Sequence, residues 1–220
     1  MDAQFGGTRE PAEAGRFYPA APDRLASQIA DFLDGGRERH RAPARALVAP
    51  HAGYAYSGPT AGAAFARLAG AVCERVVVMA PSHYVPFEAI STGTCAEYAT
   101  PVGTLAVDIP GCTRLLAADP LFVARRDTHR EEHALGTQLP FVATLFPKAR
   151  LVPLVCGQLD GERAARAADT LARAFPEETT LWIASSDFTH FGASFGFCPF
   201  TQDVHTRIEE LDREGIDRIL

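Results

Sequence analysis

Apolar and polar positions follow two different periods along this chain. In residues 23–34, Leu25, Ile29, Phe32 and Leu33 fall on one face of an amphipathic helix, and Gly35-Gly36 predict its end. Short apolar runs at 45–49, 75–80, 151–156 and 180–185 have strand length and are read as buried strands, with a further strand near 121–125. Between them lie a small-residue helix at 59–70, able to pack closely on a sheet, a short helix at 111–118 and an amphipathic helix at 160–175. A last helix at 203–219 carries Val204, Ile208, Leu211, Ile216 and Ile219 as its stripe. Thr128 followed by Glu131 is a capping-box signature and predicts a helix over about 129–146. Residues 87–109 alternate around Thr100-Pro101-Val102-Gly103, the pattern of a β-hairpin. Residues 1–22 read as an irregular entry segment and 37–45 as a charged linker.

Strands alternating with helices predict an α/β fold: a single domain over residues 1–220, with a mostly parallel central sheet covered by helices on both faces and a β-hairpin insertion near 87–109. Composition adds exclusions. Hydrophobic residues make up 47% and charged residues 22%, the balance of a globular protein, and the net charge of −6 gives no reason to expect nucleic acid or an anionic membrane as partner. The five cysteines, Cys73, Cys95, Cys112, Cys156 and Cys198, are odd in number and form no C-x-x-C, which argues against a disulfide framework or a zinc ribbon and for a reducing, cytoplasmic location. The polar, acid-containing N-terminus does not read as a signal peptide, and no apolar run is long enough to span a bilayer.

Candidate chemistry gathers where strands end. ALVAPHAGY at 46–54 and VVVMAPSHY at 76–84 each carry an apolar run to a proline, Pro50 or Pro81, with His51 or His83 just beyond. LWIASS at 181–186 leads to Asp187 and His190. Open α/β sheets bind ligands beyond the carboxyl ends of their strands, so these corners predict one shared polar site able to take a metal. Asp187 and His190, three residues apart, share a helical face; Asp187 can cap a helix, or orient a His190 that moves a proton. His129, Glu132 and His133 match H-x-x-E-H, the inverted zinc-peptidase pattern, which gives a minor reading as a zinc hydrolase. In the preferred reading His129 faces away, toward solvent, while Glu132 and His133 lead a helix into the site as supporting or substrate contacts. Tyr54 and Tyr84, with Phe188 and Phe191, flank the polar residues as a possible substrate wall or as core. No G-x-S-x-G elbow, P-loop or dinucleotide fingerprint occurs.

Taken in order, EPAEAGRFYP at 10–19, APHAGY at 49–54, PSHYVP at 81–86, EEHALGTQLPF at 131–141 and SSDFTHFG at 185–192 resemble the Memo family, which includes the bacterial proteins named AmmeMemoRadiSam system protein B. The resemblance implies a fold related to that of class III extradiol dioxygenases. It implies iron or copper held by His51, His83 and a cysteine, with Asp187, His190, Glu132 and His133 matching other pocket residues. That cysteine lies in a Cys-Gly motif of a C-terminal segment beyond the position of Leu220, so the metal's third ligand is expected outside this chain. The function implied is redox or dioxygenase-like chemistry on a small substrate, with a functional link to a radical SAM protein. The alternative is a non-catalytic adaptor module that recognises a peptide or metabolite in the same pocket.

Overall fold

The computed structural model describes residues 5–37 and 44–219. Two compact units result, one ending at Ser186 and one beginning at Asp187. In chain order the first unit contains β1 (Thr8–Arg9), α1 (Pro22–Arg37), β2 (Ala46–Ala49), α2 (Tyr54–Ala66), β3 (Arg75–Pro81), β4 (Ile90–Ser91), β5 (Glu97–Thr100), β6 (Gly103–Ala106), α3 (Ile109–Ala118), β7 (Phe122–Val123), α4 (Asp127–Arg130), α5 (His133–Gly136), α6 (Leu139–Leu145), β8 (Arg150–Cys156), α7 (Gly161–Ala174) and β9 (Thr180–Ser185).

The architecture is α/β, with a six-stranded sheet in the order β2-β9-β3-β8-β4-β7. Strands β2, β9, β3 and β8 run parallel, and β4 enters antiparallel to β8 with β7 parallel beside it, so the sheet is mixed at that edge. The parallel strands are near-continuous apolar runs: Val76, Val77, Val78, Leu151, Val152, Leu154, Val155, Leu181 and Ile183 are all fully buried, as expected where helices flank the sheet. The hairpin is β5–β6, turning at Thr100–Gly103, with β1 added in parallel along β5 as a small second sheet. No helix among the described residues is long and apolar enough to cross a membrane.

Three helices depart from the sequence reading. Helix α1 runs through Gly35-Gly36 to Arg37, because Gly36 is packed rather than exposed: a Cβ there would lie 2.6 Å from Ala63 Cα. The small-residue helix α2 starts earlier, at Tyr54, and presents Gly58 and Gly62 to Phe32 of α1, so its small side chains let two helices approach closely as well as meet the sheet. The helix expected over 129–146 is broken into α4, α5 and α6. The Thr128–Glu131 box does not form; the Thr128 hydroxyl donates to the Arg125 carbonyl, and the chain leaves the helix at Glu131–Glu132 so that Glu132 can cap α5. Part of the charged linker, residues 38–43, lies outside the described residues.

The second unit holds the final helix, α8 (Val204–Ile216), preceded by a turn at Ala193–Phe195. Phe191 and Phe200 stack with centroids 5.1 Å apart, and the Thr189 amide donates to Asp212 Oδ1 at 3.0 Å. No residue of α8 is buried.

The α1–α2 contact makes a paired test. Gly62→Ala places a methyl 2.6 Å from the Phe32 backbone carbon and is expected to lower stability by about 1–3 kcal/mol through overpacking. Gly35→Ala, with nothing within 4 Å, should be neutral or stabilising by up to about 1 kcal/mol through helix propensity. Urea-unfolding midpoints of the two variants check both signs.

Candidate metal centre

Parallel pairing aims three strand ends at one edge. Ala49 of β2 is opposite Ser185 of β9, and β3 flanks β9 on its other side. Past those ends the chain delivers His51, two residues after β2, and His83, two after β3. Proline at 50 and 81 fixes φ and offers no backbone donor, which suits a strand that must stop and turn. The third ring comes from the broken helix: His133 is the first residue of α5. Ring centroids lie 5.2 Å apart for His51–His83, 5.6 Å for His51–His133 and 4.4 Å for His83–His133. One potential ligand atom from each lies within 4.8 Å of the other two. His51 is buried, His133 half-buried and His83 exposed.

Each ring is oriented through Nδ1. Glu132, almost wholly buried, accepts from His83 Nδ1 at 2.8 Å, from the His83 amide at 2.7 Å and from the Ala134 amide at 3.0 Å. Burial alone would raise its carboxyl pKa, but the hydrogen bonds from the His83 ring, the His83 amide and the Ala134 amide prevail and hold it below the ordinary carboxylate range. The carboxylate therefore accepts and His83 Nδ1 donates.

The tautomer of His51 follows from donor counting. Ser185 Oγ has one proton, which goes to the Ala134 carbonyl at 2.6 Å. It accepts from Gln138 Nε2 at 3.0 Å, so its 3.0 Å contact with His51 Nδ1 is an N–H donated by the ring. Gln138 Nε2 also donates to the Pro50 carbonyl at 3.0 Å, bracing the corner that carries His51. His133 Nδ1 lies 3.0 Å from the Tyr84 hydroxyl, and Phe17 stacks on the His133 ring at 4.7 Å. Partial burial and the Glu132 charge raise the Tyr84 pKa, so its hydroxyl stays protonated. With Nδ1 engaged in all three rings, Nε2 is the nitrogen each would present to a metal, the arrangement usual for histidine ligands held by a second partner. Three imidazoles suit zinc, copper, iron or nickel. The donor set therefore fits a transition metal. Beside His83 lies an open cavity of about 360 Å³ that also touches Val85, Phe87, Cys156 and Gln158.

His129 and Tyr54 lie outside the cluster. His129 does not face solvent. It is buried, with Nε2 donating to the Ser91 carbonyl at 3.0 Å and Nδ1 accepting from the Tyr98 hydroxyl at 2.9 Å. Both ring nitrogens are thereby engaged in holding the fold, so the zinc-hydrolase reading on His129, Glu132 and His133 has no geometric basis; the break at Glu131–Glu132 also removes the continuous helix that H-x-x-E-H requires. Tyr54 is core rather than substrate wall: it is 2% exposed, packs on Tyr18 and Phe141, and gives its hydroxyl proton to the Thr137 carbonyl. Tyr84, 53% exposed, stays beside the cluster. Asp187 and His190 belong to the second unit, where Asp187 Oδ2 and His190 Nε2 are 3.7 Å apart and His190 Nδ1 meets the Phe188 carbonyl at 3.0 Å. The sequence reading missed Ser185, Gln138 and Phe17. Only the strand order, which puts β9 between β2 and β3, makes Ser185 a neighbour of His51.

A family model described as Memo-like protein matches residues 9–220. The protein memo-1 homolog of Caenorhabditis elegans is 34% identical over 218 residues, covering 96% of this chain and 62% of its own length. Protein MEMO1 of Xenopus laevis is 29% identical and that of Homo sapiens 27%, each over 96% of this chain and 73% of the relative. The chain thus spans under two thirds of the worm relative.

The buried His129 generates a pH prediction. Burial lowers its pKa from 6.5 to about 3, against the opposing pull of the Ser91 hydrogen bond. The folded state keeps the ring neutral while the unfolded chain takes up a proton below about 6.5, so stability is complete above that pH and lost as pH falls toward about 3. The loss should approach about 1.4 kcal/mol per pH unit in that window. Denaturant unfolding at several pH values should show this slope in the parent and its absence in His129→Gln.

Proposed function

This chain belongs to the Memo-like protein family, and on that premise we propose that His51, His83 and His133 hold one iron or copper ion and that the protein carries out redox or dioxygenase-like chemistry on a small substrate beside His83. The observation that carries the proposal is the common orientation of the cluster: a carboxylate, a proton-committed serine and a tyrosine hydroxyl each engage Nδ1 of one ring. Such partners pre-organise a ligand set before any ion arrives. His133, which the family resemblance makes a pocket residue rather than a ligand, is the third imidazole within reach of a shared ion.

An iron or copper ion held there would supply one-electron chemistry or activation of O₂, with coordination positions left for oxygen or substrate. The chain's own residues do the rest. Glu132 keeps the His83 Nδ1 proton in place and raises the donor strength of the opposite nitrogen. Ser185 and Gln138 hold His51 and its corner. The cavity beside His83 gives room for a small organic molecule against Val85 and Phe87. Tyr84, protonated and partly exposed, can donate its hydroxyl proton to a ligand while its oxygen accepts from His133 Nδ1.

After loading with Fe(II), Cu(II) or Zn(II) and desalting, the protein should retain about one equivalent of a transition metal by mass spectrometry. His51→Ala should abolish retention, and Glu132→Gln should lower affinity by about 10–100-fold. Oxygen uptake by the iron or copper form with candidate small molecules tests the chemistry. Retained metal without turnover of any of them would favour the binding-module reading, and no retained metal would overturn the proposal.

A further inference from the structure

The entry segment, which reads as irregular in sequence, is tied to the loop that carries the third histidine. Arg9 is buried, and its planar guanidinium reaches both sides of the helix break: Nε donates to the His129 carbonyl at 2.7 Å, and one terminal nitrogen donates to the Glu132 carbonyl at 3.2 Å. The His129 carbonyl lies in the last turn of α4, where helix carbonyls lack intrahelical donors, and Arg9 supplies one; the Glu132 carbonyl, at the cap of α5, already accepts from the Gly136 amide at 3.1 Å and takes Arg9 as a second donor. Glu13, also buried, accepts two hydrogen bonds from Arg9, at 2.6 and 3.3 Å, and so fixes the plane of the fork. The Glu13 carboxylate also rests on Gly136 at the end of α5, where a Cβ would overlap it. From the same segment, Phe17 stacks on His133 itself, its amide held by the Glu13 carbonyl at 2.9 Å.

We infer that Arg9 and Glu13 are positioning residues of the histidine cluster: as a locked ion pair they set where Glu132 and His133 stand, and through them the rings of His133 and His83. The inference rests on the metal reading for its metal consequences, but not for its prediction about ring placement. It concerns α5 alone. His51 is held from β9 by Ser185, which meets α5 only through the Ala134 carbonyl, so His51 should respond less than His133 and His83.

The decisive variant is the double substitution Arg9→Met with Glu13→Gln, which removes the fork without leaving a buried charge unpaired. Gly136→Ala is a second, independent perturbation, because it pushes on Glu13 while keeping both charges. Leu115→Ala, in the buried face of α3, is the control for a simple loss of stability. Two readouts are taken on the 220-residue chain: the ¹⁵N and ¹H signals of the imidazole rings in metal-free protein, and cobalt(II) affinity with its visible absorption bands. The expected result is that the His133 and His83 ring signals move in the double variant and in Gly136→Ala, and move further than those of His51, and that cobalt affinity falls by about 10–100-fold with altered bands. Leu115→Ala should change neither readout. Should the double variant fail to fold, Gly136→Ala decides alone. Ring signals that coincide with the parent's in the folded variants, or that move equally in Leu115→Ala, would overturn the inference. A parent that takes up no cobalt would overturn the metal reading, while the ring signals still decide the role of Arg9 and Glu13.

Discussion

A carboxylate removed from water must find donors for its lone pairs, and Glu132 finds three: the ring and amide of His83 and the amide of Ala134. Much of the first unit's local irregularity follows from that demand. The chain abandons a helix at Glu131–Glu132 so that the side chain can turn toward the end of β3. The same turn makes Glu132 the cap of α5 and brings His133 beside His83. The carbonyls on either side of the break, at His129 and Glu132, are both met by Arg9. One acidic residue links a strand end, a helix start and the entry segment.

The sheet supplies the other half of the arrangement. Parallel strands bury both faces and leave their polar consequences at the ends, so a parallel β2-β9-β3 triplet concentrates functional groups at one edge without disturbing the core. The fully buried valines of β3 and β8 carry no chemistry, and the chemistry begins only where the runs stop, at Pro50 and Pro81. Stability and reactivity are thereby separated along each strand.

What the sequence discloses follows the range of the interactions. The strands at 75–81, 150–156 and 180–185 are legible because they depend on local apolar runs, and His51 and His83 because each follows such a run directly. The helix over 129–146 misleads because the capping box at Thr128 is a local signal, while the break at Glu132 answers a residue 49 positions away. His129 has the look of a ligand by spacing, yet its fate is settled by Tyr98 and Ser91, which no local pattern connects to it. Ser185 and Arg9 are invisible for the same reason: their partners are set by strand order and by a fold-spanning contact. The glycines of α2 announce close packing, and the partner, α1, becomes evident only in three dimensions.

The partners of His51 and His83 differ in kind. His83 gives its Nδ1 proton to an anion, whereas His51 gives its own to a neutral hydroxyl. An imidazole hydrogen-bonded to a carboxylate is the more electron-rich base, so the two rings, alike in sequence context, are unequal Lewis bases. A cation held by both would draw on one stronger and one weaker donor, the exposed His83 and the buried His51. The scaffold thus builds an asymmetry into two rings that the sequence presents as twins.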